Sequence, residues 1–135
     1  LDLVNVDLSR FNIKNNIANK KIKMDETKMI IALRNLIDNA LKYGDPKQQI
    51  TIGLYEHNKN HIISVANFGD TILSEEKERI FSPFYRSEIH RNKQQGFGLG
   101  LTICQKIVVA HGGKLLLKSD SSETVFTIEL PFDFN

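Results

Sequence analysis

Three residues with chemical potential share one stretch of the chain: Asn35, Asn39 and Lys42, spaced i, i+4, i+7. On a helix that spacing brings them within about 60° of one another. A carboxamide oxygen is a hard, neutral ligand suited to Mg²⁺, and a lysine one turn away can reach a phosphate. A solvated polar face is the competing reading. Against it, each mid-helix Asn costs about half a kcal/mol relative to Ala, where Lys, Glu or Gln would solvate a face more cheaply. Ile31 and Ala32 also belong to this face. On residue types alone both readings stand.

A second constellation is Gly96-Phe97-Gly98-Leu99-Gly100-Leu101, placed between a polar stretch and a helix-like run. Alternate glycines let a backbone approach a ligand closely, and a helix start offers N–H groups and a positive dipole end to an anion. A flexible hinge is the alternative. Two well-known glycine loops are excluded by spacing. The dinucleotide fingerprint needs glycine where Leu101 stands and a strand directly before the loop, whereas Lys93-Gln94-Gln95 precedes it. The other needs Gly-Lys-Ser/Thr, which is absent. Third, Asn67 ends an apolar alternation and can hydrogen-bond a base edge, with Gly69 leaving room for a ring; an ordinary strand-end turn fits equally well. Fourth, Ile80-Phe81-Ser82-Pro83-Phe84-Tyr85-Arg86 groups aromatics around a proline and ends in a cation. Phe81 and Phe84 read as core anchors, while Arg86 and the Arg91/Lys93 loop can face phosphates.

The elements that must position these residues follow from periodicity. Asp25 to Tyr43 carries Met29, Leu33, Leu36, Ile37, Ala40 and Leu41 at helical spacing, with Asp25 as cap and Gly44-Asp45-Pro46 as stop. Ile50–Glu56 and His61–Phe68 are predicted strands of a hairpin, and Lys114–Lys118 and Thr124–Leu130 two more. Leu99–Ala110 is a second strong helix, ended by His111-Gly112-Gly113. Ser74 caps a short predicted helix reaching Phe81. Leu1–Leu8 alternates like an edge strand, and a short helix is predicted over Ser9–Asn19. The expected fold class is α+β: a two-layer sandwich whose mixed, mainly antiparallel sheet of about five strands is covered on one face by about three helices.

Whole-chain properties narrow the function classes. The 135 residues suit one domain, 1–135, and the net charge of +2 is too small to argue for nucleic acid. The single cysteine, Cys104, excludes an internal disulfide; lying in an apolar helical run, it reads as a buried structural thiol in a reducing compartment. No apolar run approaches the roughly 20 residues that span a bilayer. The start at Leu1 without methionine suggests an excised fragment.

In order, the four segments resemble the catalytic domains of sensor histidine kinases, members of the wider ATPase group that includes gyrase, Hsp90 and MutL. Arg34 to Tyr43 is similar to the family's asparagine box, Asn67 to Ile72 to its first glycine box, Ile80 to Arg86 to its phenylalanine box, and Gly96 to Leu101 to its second glycine box. Thr124 to Pro131 resembles the closing strand. The resemblance implies the Bergerat fold and binding of ATP with Mg²⁺. Asn39 would coordinate the metal, with Asn35 beside it; Lys42 would contact phosphate, and Tyr43 would lie against adenine or ribose. Asn67 would take the place of the adenine-reading carboxylate, in a pocket with Gly69, Ile72 and Thr124. Gly96, Gly98, Leu99, Gly100 and Leu101 would present backbone to the phosphates. Arg86 would stand near the terminal phosphate, and 87–95 would form a lid. Departures are Asn67 for the usual Asp, Thr71 for a glycine, Glu123 for a glycine, a short lid, and an abbreviated stretch between Asn12 and Asp25 that lacks a strand usual in the family. A neutral amide at 67 should weaken adenine binding by about 1 kcal/mol.

By the same resemblance, the γ-phosphoryl group would pass to a histidine on a separate dimerisation domain, so no catalytic acid or base is expected here. His57, His61, His90 and His111 lack the setting of an acceptor and read as surface or capping residues; residues 1–8 would end the linker from that domain. The implied partners are that dimerisation domain and a response regulator. The parent would be a homodimer at the bacterial inner membrane, with this domain monomeric and cytoplasmic. Two rivals remain: a docking or regulatory module with an impaired nucleotide site, and an anti-sigma-factor-type serine kinase.

Overall fold

The computed structural model describes residues 7–17, 22–69, 72, 77, 79–81, 100–120 and 122–132. Helix α1 (Glu26–Tyr43) starts where the Asp25 carboxylate accepts the Lys28 N–H at 3.1 Å, a side-chain cap on a donor the helix cannot satisfy itself. Met29, Ala32, Leu36 and Ala40 form its buried stripe. Ala32 is fully buried and belongs to the core, not to the polar face shared by Asn35 and Asn39. The helix ends as the Gly44 N–H bonds Ala40 O at 2.8 Å.

Strands β1 (Phe11–Asn15), β2 (Ile50–His57), β3 (Asn60–Phe68), β4 (Lys114–Ser119) and β5 (Glu123–Pro131) form one sheet in the order β1-β2-β3-β5-β4. Only β1 and β2 are parallel, and α1 supplies the crossover such a pair requires. Asn58 and Lys59, both at positive φ, make the two-residue turn of the β2–β3 hairpin. Helix α2 (Gly100–Ala110) packs beside α1, on the same face of the sheet. Leu36 and Ala40 from α1, Cys104 and Val108 from α2, and Ile63, Val65, Phe126 and Ile128 from β3 and β5 make the core. Cys104 is fully buried there, and desolvation pushes its thiol up to about 12.

The far ends of the helices are joined. Past α2, Gly112 (φ 73°) closes a Schellman turn in which Gly113 N–H bonds Val108 O at 3.0 Å and Gly112 N–H bonds Val109 O at 2.9 Å. His111 does cap the helix, but from the interior: it is 3% exposed. Its Nδ1 lies 2.8 Å from Ile107 O, and its Nε2 accepts the Asp25 N–H at 3.0 Å. That pattern fixes a neutral ring protonated at Nδ1.

Two expectations near the start need correction. Ser9–Asn19, as far as the described Ile17, is not a helix. Leu8–Arg10 makes one 3-10 turn capped by Asp7, and Phe11–Asn15 is β1, pairing Phe11 with Ile50 and Asn15 with Leu54. Asn12, Asn15 and Asn16 are poor helix residues, and the edge of β2 offers the backbone partners they lack in a helix. Of the expected Ser74–Phe81 helix, the described part Arg79–Phe81 is a 3-10 turn; Ser74 lies outside the described residues, as do residues 1–6 of the expected edge strand.

Candidate functional site

The C-terminal end of α1 is stapled to the end of β3. Gly44 and Gly69 form an antiparallel bridge, and Asp45 N–H donates to Phe68 O at 2.6 Å. Close approach demands both glycines: a Cβ on Gly69 would lie 2.5 Å from Tyr43 O, and one on Gly44 would lie 2.5 Å from Ala40 O and 3.2 Å from Asn67 Cβ. Asn67 is thereby packed under Gly44 and is 4% exposed. Its Nδ2 faces Gly44 and lies 3.5 Å from Phe68 O, which turns the carboxamide oxygen, an acceptor, the other way.

Thr124, 5% exposed, stands opposite Asn67 in the β3–β5 register. Its Oγ1 is 2.8 Å from Ser119 Oγ, which also accepts the Ile72 N–H at 3.0 Å. The Lys77 ammonium donates to Ser119 O at 3.2 Å. One end of the sheet thus gathers Tyr43, Asn67, Gly69, Ile72 and Thr124 around buried, directional polar groups.

The second half lies between the helices. A Cβ on Gly100, the first residue of α2, would sit 3.1 Å from Asn35 Oδ1, so the asparagine face of α1 abuts the start of α2. Asn39, one turn further on, is half-buried. Lys42 Nζ pairs with Asp38 Oδ2 at 3.0 Å, with both side chains more than a third exposed, so this ion pair contributes little to stability. Leu101 packs its side chain on the core and leaves only its backbone for a ligand. First-turn N–H groups of a helix have no partner within it, and here they open beside Asn35. Thr102, also in that turn, donates to Phe81 O at 2.7 Å. Phe81 in turn meets Phe126 edge-on, centroids 6.4 Å apart, so Phe81 is anchored to both α2 and the sheet.

Among the expected site residues, Asn35, Asn39, Lys42, Tyr43, Asn67, Gly69, Ile72, Gly100, Leu101 and Thr124 fall into these two adjoining groups; Arg86, Gly96, Gly98 and Leu99 lie outside the described residues. Three residues of the site were missed in the sequence. Gly44 was read only as a helix stop, although its place between Asn39 and a strand hinted at a tight turn. Ser119 and Thr102 are small hydroxyl residues among apolar neighbours, a signal that a buried acceptor awaits. Among the described residues no group of three or more His, Cys, Asp or Glu could hold a metal by itself. The donors present are the amide oxygens of Asn35 and Asn39, which suit a Mg²⁺ that keeps its remaining positions for phosphate and water.

Comparison with known proteins agrees with this fold. The profile of the family described as histidine kinase-, DNA gyrase B-, and HSP90-like ATPase matches residues 24–133. The sensor protein SrrB of Staphylococcus aureus is 36% identical over 123 residues, which cover 89% of the chain but 21% of that protein. The solved catalytic domain of histidine kinase ThkA superposes with a TM-score of 0.78 at 32% identity, over 90% of this chain and 79% of that one. The mycobacterial sensor histidine kinase MprB gives 0.79 at 26% identity, over 91% and 84%.

Proposed function

Since the chain belongs to the histidine kinase-, DNA gyrase B-, and HSP90-like ATPases, as the catalytic domain of a histidine kinase, we propose that it binds ATP with Mg²⁺ and presents the γ-phosphoryl group to a histidine on a separate dimerisation domain of a two-component sensor kinase. The observation that carries this reading is the junction of Asn35 Oδ1 with Gly100, 3.1 Å from where a Cβ would stand. It sets one neutral donor, Asn35, beside a helix start, with Asn39 a turn further along α1, so a metal and a phosphate chain can be held between them.

On this reading, Asn67 and Thr124 bind the adenine edge, and Gly69 leaves room for the ring. The N–H groups of Gly100 and Leu101 orient the phosphates, with Lys42 within reach of them across α1. Asn39 and Asn35 would hold the Mg²⁺, which when bound neutralises charge on the phosphates. The domain's contribution is positioning and charge compensation. The proton of the acceptor would be handled on the partner domain, which also supplies the histidine. Gly98, Leu99, Arg86 and the 87–95 lid complete the proposal by family resemblance. The chain spans about a fifth of the length of its sensor-protein relative, and a dimeric parent, a response regulator and a cytoplasmic placement at a membrane belong to the same proposal. Among the described residues no helix is long and apolar enough to cross a membrane.

Titration with a fluorescent ATP analogue, with and without Mg²⁺, tests the site. Saturable, Mg²⁺-dependent binding is expected, and Asn39→Ala should lose most of the Mg²⁺ dependence. Absence of saturable binding by the wild type would instead favour a docking module of the same fold. Addition of a dimerisation domain with its histidine then tests phosphotransfer.

A further inference from the structure

The hydroxyl of Ser119 has no part in the reading above, yet it sits where nucleobase choice would be made. Ser119 ends β4, opposite Thr124 on β5, which is itself opposite Asn67 on β3. Three side chains therefore stand in a row across the sheet on its helix-facing side. Two hydrogen bonds meet at the Ser119 hydroxyl oxygen: the Ile72 N–H donates to it at 3.0 Å, and Thr124 Oγ1 lies 2.8 Å away.

The Ile72 N–H can only donate, so it occupies a lone pair of Ser119 and leaves the Ser119 hydrogen to be placed. Thr124 Oγ1 is the acceptor within reach among the described residues. Either hydroxyl can donate in that pair; in the arrangement where Ser119 donates, the Thr124 hydrogen turns away from Ser119 as a donor. Asn67 is oriented from its other side: its Nδ2 lies beside Gly44 and 3.5 Å from Phe68 O, which leaves the oxygen, an acceptor, directed away from them. The row then presents an acceptor beside a donor.

We propose that Ser119 is a positioning residue that sets selectivity for adenine over guanine, by holding the Thr124 hydroxyl as a donor beside the Asn67 carboxamide oxygen. The adenine edge offers an amino donor next to a ring-nitrogen acceptor and complements this pair, directly or through one water. Guanine offers a carbonyl acceptor next to a ring N–H donor and opposes both. Asn67 alone cannot discriminate, because an amide that rotates presents either group; the discrimination depends on both orientations being fixed. The chain of bonds from Ile72 through Ser119 to Thr124 also polarises the last hydroxyl and strengthens it as a donor. The proposal rests on the ATP-site reading and deepens it.

The test is competition against a fluorescent ATP analogue on the whole domain with Mg²⁺, using ATP, GTP, inosine triphosphate and inorganic tripolyphosphate as competitors. The wild type should prefer ATP over both GTP and inosine triphosphate, which shares guanine's carbonyl and N–H. Ser119→Ala should lower ATP affinity about tenfold, the scale of one hydrogen bond. It should shrink the ATP-to-GTP ratio by a similar factor and leave tripolyphosphate unchanged, whereas Ser119→Thr, which keeps the hydroxyl, should restore the ratio. An unchanged ratio in Ser119→Ala overturns the proposal, and so does an equal loss for all four competitors, which marks a merely structural residue. Should Ser119→Ala fail to fold, Thr124→Val removes the donor with the shape retained, and a wild-type ratio in that variant overturns the proposal equally. A wild type that binds no nucleotide overturns the ATP-site reading itself; one that binds ATP while Ser119→Ala keeps its ratio overturns only the role of Ser119.

Discussion

Replacement of Gly69 by alanine should damage stability and nucleotide binding together. The added Cβ would stand 2.5 Å from Tyr43 O, 3.2 Å from Gly44 Cα and 3.4 Å from Asp45 N. All three are backbone atoms, so none can swing aside as the tip of a side chain could. An ordinary C···O approach is about 3.3 Å, so the end of α1 and the end of β3 must separate by about 0.8 Å. The Asp45 N–H to Phe68 O bond, now 2.6 Å, spans that gap and would stretch to about 3.4 Å, past the usual range. A buried bond weakened in this way costs about 1 kcal/mol. Tyr43 and Asn67 lie on the two sides of the opened seam, and displacement of binding groups by this much should weaken ATP at least about tenfold. Urea denaturation and titration with a fluorescent ATP analogue measure the two effects. Gly112→Ala is the control. It places a side chain at φ 73° with only Pro131 Cγ nearby, at 3.7 Å, on the remote side of the molecule. It should cost about 1 kcal/mol of stability and leave affinity intact. The reasoning is refuted if Gly69→Ala behaves like Gly112→Ala, losing stability but keeping its ligand.

Gly100→Ala should separate the two properties with opposite signs: alanine favours the helix by up to about 1 kcal/mol, while its Cβ pushes on Asn35 Oδ1 from 3.1 Å. The urea midpoint should hold or rise as ATP affinity falls, and unchanged affinity would show that Asn35 does not need its present place. His111→Phe leaves the Asp25 N–H and Ile107 O without their ring partner and should cost about 2–3 kcal/mol by denaturation, with ATP affinity little altered. Cys104, held as a neutral thiol with its pKa pushed up to about 12 by burial, should resist a thiol reagent in the native domain and react once urea unfolds it. Because the folded value lies above that of the unfolded chain, its contribution to stability is complete below about pH 8.5 and is lost as pH rises toward the folded value. Between about pH 8 and about pH 10.5 the drop in urea midpoint should therefore be smaller in Cys104→Ala than in the wild type.

The elements most legible in the sequence were those whose signals are local. Asp25 caps α1 as its side-chain chemistry demands, and Met29, Leu36 and Ala40 bury the stripe their spacing announces. The hairpin of Ile50–Glu56 and His61–Phe68 was equally plain, though its strands run one residue further on each side and leave only Asn58 and Lys59 for the turn. β1 was misread because it has no buried face of its own: all residues after Phe11 are exposed, including Ile13. Its strand state comes from parallel pairing with β2, about forty residues away, and no local period records such a partner. The site divides in the same way. Asn35 and Gly100 stood out by residue type, because each is a poor choice for an ordinary helix position. That they meet is a property of how α1 packs on α2. Ser119 and Gly44 escaped notice because their importance lies in a backbone N–H and a backbone carbonyl of other segments, which carry no residue-type signature.

The imidazole of His111 gives the domain a clasp between its two helices. Where α1 begins and α2 ends, Asp25 N–H, the ring and Ile107 O lock the helices together, and Phe132 N–H closes onto Lys59 O at 3.1 Å on the strand beneath. At its other end α1 is held to β3 by the Gly44–Gly69 bridge and the Asp45 N–H to Phe68 O bond. Moored at both ends, α1 presents Asn35 and Asn39 from a span whose place is set before any guest arrives.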